Sequence, residues 1–168
     1  MYQHQKRQRR FLKAFACGEE YGKIYFNGEQ ITPLGVWEKG DTFVSTGGSQ
    51  GGFQSIALGA LDDDVTEVSM SRPWFCDIGG QEIGRFPGTL KPAYTDALMY
   101  YDCCSLATLI DEDVKVSISA GLGDRICPPS GIMAVYNSLN CKKIISISQN
   151  VDHAYDPPST TTYILRNH

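Results

Sequence analysis

The chain has no basic excess, no long apolar run and no metal-binding cysteine pattern, and each absence removes a class of function. Fifteen lysines and arginines stand against nineteen acidic residues, a net charge of −4. A surface that neutralises a phosphate backbone needs the opposite sign, so no nucleic-acid partner is expected. No apolar stretch approaches the ~20 residues of a membrane span. The six cysteines are Cys17, Cys76, Cys103, Cys104, Cys127 and Cys141, with no Cys-x-x-Cys pair among them. Neither a metal nor another cofactor is therefore expected. Cys103 and Cys104 are adjacent, which suits core packing better than a mutual bridge; free thiols are the default, and the even count leaves disulfides open. Histidine is scarce, at positions 4, 153 and 168. That scarcity is informative, because a general base working at neutral pH is most often histidine.

What is present is the composition of a globular domain: 168 residues, 42% hydrophobic and 20% charged. Lys6 to Arg10 are basic and an apolar stretch, Phe11 to Cys17, follows. Lys13 interrupts it, and it is too short for a secretory signal, so the expected location is cytoplasmic. Residues 1–36 form a poorly patterned segment in which glycines break up any long element, and no helix or strand is assigned there. The whole of 1–168 is read as a single domain.

From Thr42 the pattern sharpens. Thr42 to Thr46 is β-prone and ends at Gly47. Phe53, Ile56, Ala57, Ala60 and Leu61 then recur at the spacing of an amphipathic helix, which Asp62-Asp63-Asp64 ends. Val65 to Ser71 is β-prone again. Strand, helix and strand at this length make a βαβ unit, hence a parallel sheet. Residues 72–110 are a long connection rich in glycine, proline and aromatics, with Asp96 to Leu109 expected to be helical. Val114, Val116 and Ile118 mark a strand ending at Gly121-Leu122-Gly123-Asp124. Pro128 and Pro129 open a helix with Ile132, Val135, Tyr136 and Leu139 on one face, and Lys143 to Ser148 is a further strand. The threonine-rich tail from Pro157 is short.

Gly47-Gly48-Ser49-Gln50-Gly51 is a Gly-x-Ser-x-Gly sequence between a β-prone run and a well-phased helix, the context of a nucleophile elbow. Such a turn lifts the serine hydroxyl above the carboxyl end of a sheet and aims the next backbone N–H, here Gln50, at a developing oxyanion. The partners follow in the order acid, then histidine. His153 sits on a loop after a strand; His4 precedes the serine and His168 is the terminal residue. Asp124 follows the 114–119 strand on the side where Ser49 emerges. Asp152 adjoins His153 and would point away from it, Asp111 and Asp113 precede their strand, and Asp156 is a weaker alternative. Ser49, Asp124 and His153 are thus the expected triad, and ester hydrolysis the expected chemistry.

Three segments resemble the acetyl xylan esterase/cephalosporin-C deacetylase family: Thr46-Gly47-Gly48-Ser49-Gln50-Gly51-Gly52; Ala120 to Ser130 with its Asp124 and Cys127-Pro128-Pro129-Ser130; and His153-Ala154-Tyr155. The resemblance covers about residues 37–158. It implies an α/β fold, namely a partial α/β-hydrolase with a mainly parallel sheet and flanking helices. It also implies a serine esterase that removes acetyl groups from small substrates such as acetylated xylo-oligosaccharides, and a homo-oligomer. Trp74 and Phe75 match a family segment near the acyl pocket, so they are candidates for substrate contact, with buried packing an equal alternative. Members of that family are much longer, and the strands and second oxyanion donor expected upstream of the elbow are not recognisable here. The expectation is therefore a shortened hydrolase with low or absent activity. A non-catalytic remnant acting as a binding or assembly module and an α/β-hydrolase peptidase are the competing readings.

Overall fold

The computed structural model describes residues 24–26, 29–31 and 43–167. The chain divides into two compact units, Met1–Thr42 and Phe43–His168. In the first, strands β1 (Ile24–Phe26) and β2 (Glu29–Ile31) pair antiparallel, with Phe26 opposite Glu29. No strand was expected there, although the two residues between them in the sequence are Asn27-Gly28, the dipeptide that two-residue hairpin turns favour.

The second unit is built on a five-stranded sheet of β3 (Val44–Gly48), β4 (Glu67–Ser71), β5 (Lys115–Gly121), β6 (Lys142–Ser148) and β7 (Thr162–Arg166), in that spatial order. The first four strands are parallel and β7 is antiparallel to β6. Helix α1 (Gln50–Leu61) connects β3 to β4. The short helix α2 (Cys103–Ala107) precedes β5, and α3 (Pro129–Ser138) connects β5 to β6. Burial alternates along β4 and most of β5. Val68, Met70, Val116, Ile118, Ala120 and Ile145 join the core with Phe53 and Ile56 of α1 and Ile132 and Val135 of α3. The intervening positions are small and polar, among them Ser69, Ser71, Ser117, Ser119 and Ser146. Pro129 opens α3, where its missing N–H costs nothing. Lys143 closes α3 from β6 by donating to the carbonyls of Tyr136 (2.8 Å) and Leu139 (2.7 Å).

One expected element differs, and one strand was not foreseen. Asp96 to Leu109 is not one helix: a 3-10 segment, Asp96–Tyr101, is followed by Asp102 and then α2. The buried Asp102 carboxylate accepts the backbone N–H groups of Asp77, Ile78 and Cys104. Pulling it inward as a cap sets Asp102 in extended geometry and breaks the helix. The tail, to which no element was assigned, forms β7, whose Thr162-Tyr163-Ile164-Leu165 run is itself β-prone. The cysteines described, Cys76, Cys103, Cys104, Cys127 and Cys141, are free thiols. No helix among the described residues is long and apolar enough to cross a membrane.

Candidate active site

The turn after β3 places Ser49 at φ 51° and ψ −120°, a backbone conformation that costs a non-glycine residue ~1–3 kcal/mol. The neighbours hold it there. Ser49 N–H donates to the carbonyl of Ser71 at the end of β4 (2.9 Å), and its carbonyl accepts Phe53 N–H (3.2 Å) and Trp74 N–H (2.9 Å). Glycine is required at position 47 by close approach: a Cβ there would lie 2.4 Å from the backbone carbon and oxygen of Gly51. Gln50 opens α1, and the N–H groups of a helix's first turn have no partner within it.

Asp124, the expected acid, lies just beyond the end of β5. Gly121 presses against the loop after β6, where a Cβ would meet the Val151 carbonyl oxygen at 2.4 Å. Leu122 N–H donates to Ser148 O (2.9 Å) and Gly123 N–H to Val151 O (2.9 Å), which ties the two loops together by backbone. Asp124 is buried. Its Oδ1 accepts the N–H groups of Ile126 (2.9 Å) and Cys127 (2.8 Å), and its Oδ2 faces His153 Nδ1 at 2.9 Å. A carboxylate only accepts, so Nδ1 carries the proton and Nε2 keeps a lone pair. Nε2 lies 2.9 Å from Ser49 Oγ, positioned to take the hydroxyl proton. The structure thus brings Ser49, His153 and Asp124 into one hydrogen-bonded chain across the carboxyl ends of β3, β5 and β6. His4 and His168 lie outside the described residues.

The other carboxylates near the histidine in sequence are engaged elsewhere. Asp152 Oδ1 accepts the N–H groups of Ala154 and Tyr155, each at 2.8 Å, making the local turn that presents His153. Asp156 pairs with Arg72. Asp111 and Asp113 precede β5, at the end of that strand away from Asp124.

Cys127 is a neighbour that sequence reasoning left out of the site. One ligand-type atom each from Asp124, Cys127 and His153 lies within 4.8 Å of the others. Burial, then the Asp124 charge, push the Cys127 thiol up to about 12, so it stays neutral beside the histidine. Among the described residues these three atoms are the ones that could approach a metal, but the hydrogen bonds of Asp124 to His153 and to the Cys127 N–H already account for their grouping. Of the two aromatic candidates, Phe75 belongs to the core: it is buried, with its ring centroid 5.7 Å from that of Phe53. Trp74 is only partly buried, with its ring centroid 4.4 Å from that of Phe75. Its indole N–H is buried without a hydrogen-bond partner among the described residues.

Known proteins resemble this chain in sequence and in fold. Residues 91–166 match the acetyl xylan esterase family model, a span that includes Asp124 and His153 but not Ser49. The acetyl esterase Axe7A of Xylanibacter ruminicola is 28% identical over 146 residues, which cover 82% of this chain and 33% of that protein. The chain therefore spans about a third of the length of this curated relative. Acetyl xylan esterase 1 from Thermoanaerobacterium sp. JW/SL YS485 is 29% identical with a TM-score of 0.54, over 68% of this chain and 41% of that one. The acetyl xylan esterase from Paenibacillus sp. R4 superposes with a TM-score of 0.57 at 24% identity, over 68% and 40%. A puromycin-hydrolysing peptidase of Mycobacterium tuberculosis, 17% identical with a TM-score of 0.53 over 67% of this chain and 18% of that one, shares the fold alone. The chain carries a partial α/β-hydrolase fold and, over part of its length, resembles the acetyl xylan esterases, which are carboxylic ester hydrolases.

Proposed function

We propose that this chain is a serine carboxylesterase that removes acetyl groups from small acetylated carbohydrates of the xylo-oligosaccharide type. The observation that carries the reading is the chain of two 2.9 Å contacts, Ser49 Oγ to His153 Nε2 and His153 Nδ1 to Asp124 Oδ2. In the reaction, His153 takes the Ser49 proton as Oγ attacks the ester carbonyl. Asp124 holds the productive tautomer and stabilises the imidazolium. The Gln50 N–H, at the start of α1, donates to the tetrahedral oxyanion. His153 then returns its proton to the leaving alcohol, and water, activated by the same nitrogen, hydrolyses the acetyl-serine. Trp74 is the aromatic side chain assigned to the substrate side. A homo-oligomer and a cytoplasmic location belong to the same reading.

The test is Ser49-dependent hydrolysis. Release of p-nitrophenol from p-nitrophenyl acetate and labelling by a fluorophosphonate probe are both expected, and both should vanish in Ser49→Ala. Acetate release from acetylated xylo-oligosaccharides, with no cleavage of peptide substrates, separates the esterase reading from a peptidase. An unlabelled, inactive wild-type chain would point instead to a non-catalytic module.

A further inference from the structure

We propose that Arg72 is a positioning residue for His153: it holds the loop that carries the histidine from the strand beside the elbow. The proposal rests on the reading of His153 as the base.

Arg72 directly follows β4. The preceding residue, Ser71, receives the Ser49 N–H, and Arg72's own N–H donates to Ser119 O of β5 at 2.8 Å. Its backbone is therefore anchored between the strand that leads to the nucleophile and the strand that leads to the acid. Its φ of 48° is left-handed, a conformation that disfavours an arginine and persists where the surroundings impose it. The side chain reaches the loop after β6. There Nη1 donates to the Asp152 carbonyl (2.7 Å) and to Asp156 Oδ1 (3.0 Å), and Nη2 to Asp156 Oδ2 (3.4 Å). Asp152 immediately precedes His153, and Asp156 lies three residues beyond it, so one planar guanidinium holds the histidine's loop on both sides.

Stability alone is a poor account of this contact. The Asp156 side chain is 66% exposed, and an ion pair that open to water stabilises a fold little. Its geometric consequence is larger. The Nε2 to Oγ contact spans the gap between the β6 loop and the β3 elbow, and Arg72 is a side-chain strut across that gap. Displacing a reacting group by an ångström can cost about a hundredfold in rate.

Arg72→Gly removes the strut while suiting the positive φ, so backbone strain falls as the contact disappears. Two readouts apply. The first is kcat and KM for p-nitrophenyl acetate. The second is the downfield proton resonance of His153 Nδ1–H bonded to Asp124, assigned by its loss in His153→Ala. In Arg72→Gly, kcat is expected to fall roughly 10–100-fold with KM little changed, and the downfield resonance to broaden or disappear. Arg72→Lys, which reaches one partner but not both, should be intermediate and decides the matter by the same readouts if the glycine variant does not fold. A folded Arg72→Gly with full kcat and an unaltered resonance overturns the proposal. Should the wild-type chain hydrolyse no ester, the resonance alone decides: its loss in Arg72→Gly supports the strut while the esterase reading falls, and its persistence overturns the strut.

Discussion

Asp124 uses its two oxygens for different purposes, and Asp124→Asn separates them. Oδ1 accepts two backbone N–H groups, from Ile126 at 2.9 Å and Cys127 at 2.8 Å. An asparagine must place its oxygen there. The opposite orientation would set an NH2 against two buried donors, at about 1–3 kcal/mol for each one left unsatisfied. The amide nitrogen therefore takes the place of Oδ2, 2.9 Å from His153 Nδ1. That nitrogen donates, so Nδ1 must turn acceptor and the imidazole proton moves to Nε2. Nε2 then presents N–H to Ser49 Oγ and can no longer accept its proton. The expected loss is about 10⁴ in kcat, the size found for this substitution in a serine protease, or roughly 5.5 kcal/mol of barrier. Stability should change little, since both loop N–H groups keep their acceptor. Asp124→Ala removes that acceptor too and should cost a further 2–6 kcal/mol or so in folding. Steady-state hydrolysis of p-nitrophenyl acetate beside urea unfolding followed by circular dichroism measures both effects. Activity of Asp124→Asn within about an order of magnitude of wild type, or equal destabilisation by the two substitutions, would refute the argument.

Gly47→Ala sets a Cβ 2.4 Å from backbone atoms of Gly51; the elbow must shift, lowering the melting temperature by the equivalent of at least 1–3 kcal/mol and abolishing fluorophosphonate labelling of Ser49, which gel fluorescence reads directly. Asp102→Ala strands three backbone donors that its carboxylate now satisfies; at about 1–3 kcal/mol for each the loss should be about 3–9 kcal/mol, a large part of the ~5–15 kcal/mol that holds a domain folded, seen as a lower urea midpoint. Burial, then the Asp124 charge, raise the Cys127 thiol from 9.0 to about 12. Between those values the folded state binds the proton that the unfolded chain has released. This stability is therefore complete below pH 9 and lost as pH rises toward 12. The urea midpoint should fall across that interval, and less steeply in Cys127→Ala.

The parts of the fold that could be read in advance are those whose local pattern has one interpretation. Phe53, Ile56 and Ala57 fall on one face only as a helix, and the apolar positions of β4 and β5 alternate only as strands. The elbow was legible because glycine spacing, a preceding strand and a following helix agree. The choice among carboxylates is different in kind. Sequence position favours Asp124 by its strand end, but what removes Asp152 and Asp156 is three-dimensional competition: the first is taken by the N–H groups of Ala154 and Tyr155, the second by Arg72. The same holds for Asp102, whose helix-breaking role depends on donors from residues 77 and 78, far away in sequence. Cys127 lay within a segment already singled out for its sequence, yet its place beside His153 follows only from the loop contacts that bring β5 and β6 together. The β1–β2 pair and β7 are different again: the sequence carries local signals for both, in Asn27-Gly28 and in the Thr-Tyr-Ile-Leu run, that were passed over.

The position of the elbow strand bears on how the site is held. Among the described residues β3 pairs with β4 alone, along one side. A serine held from that side would be poorly fixed if its geometry depended on partners along both sides of the strand. It does not. The backbone bonds of Ser49 run to Ser71 and Trp74 on the β4 side and to Phe53 in α1, while the loops bearing Asp124 and His153 are joined by Gly123 to Val151. Each of these contacts lies between residues 49 and 151, within the βαβ unit and the strands that follow it. The restraint on Ser49 is therefore one-sided but complete at the turn itself, and the weakest link in the chain of contacts is the span from the elbow to the loop after β6. Arg72 crosses that span.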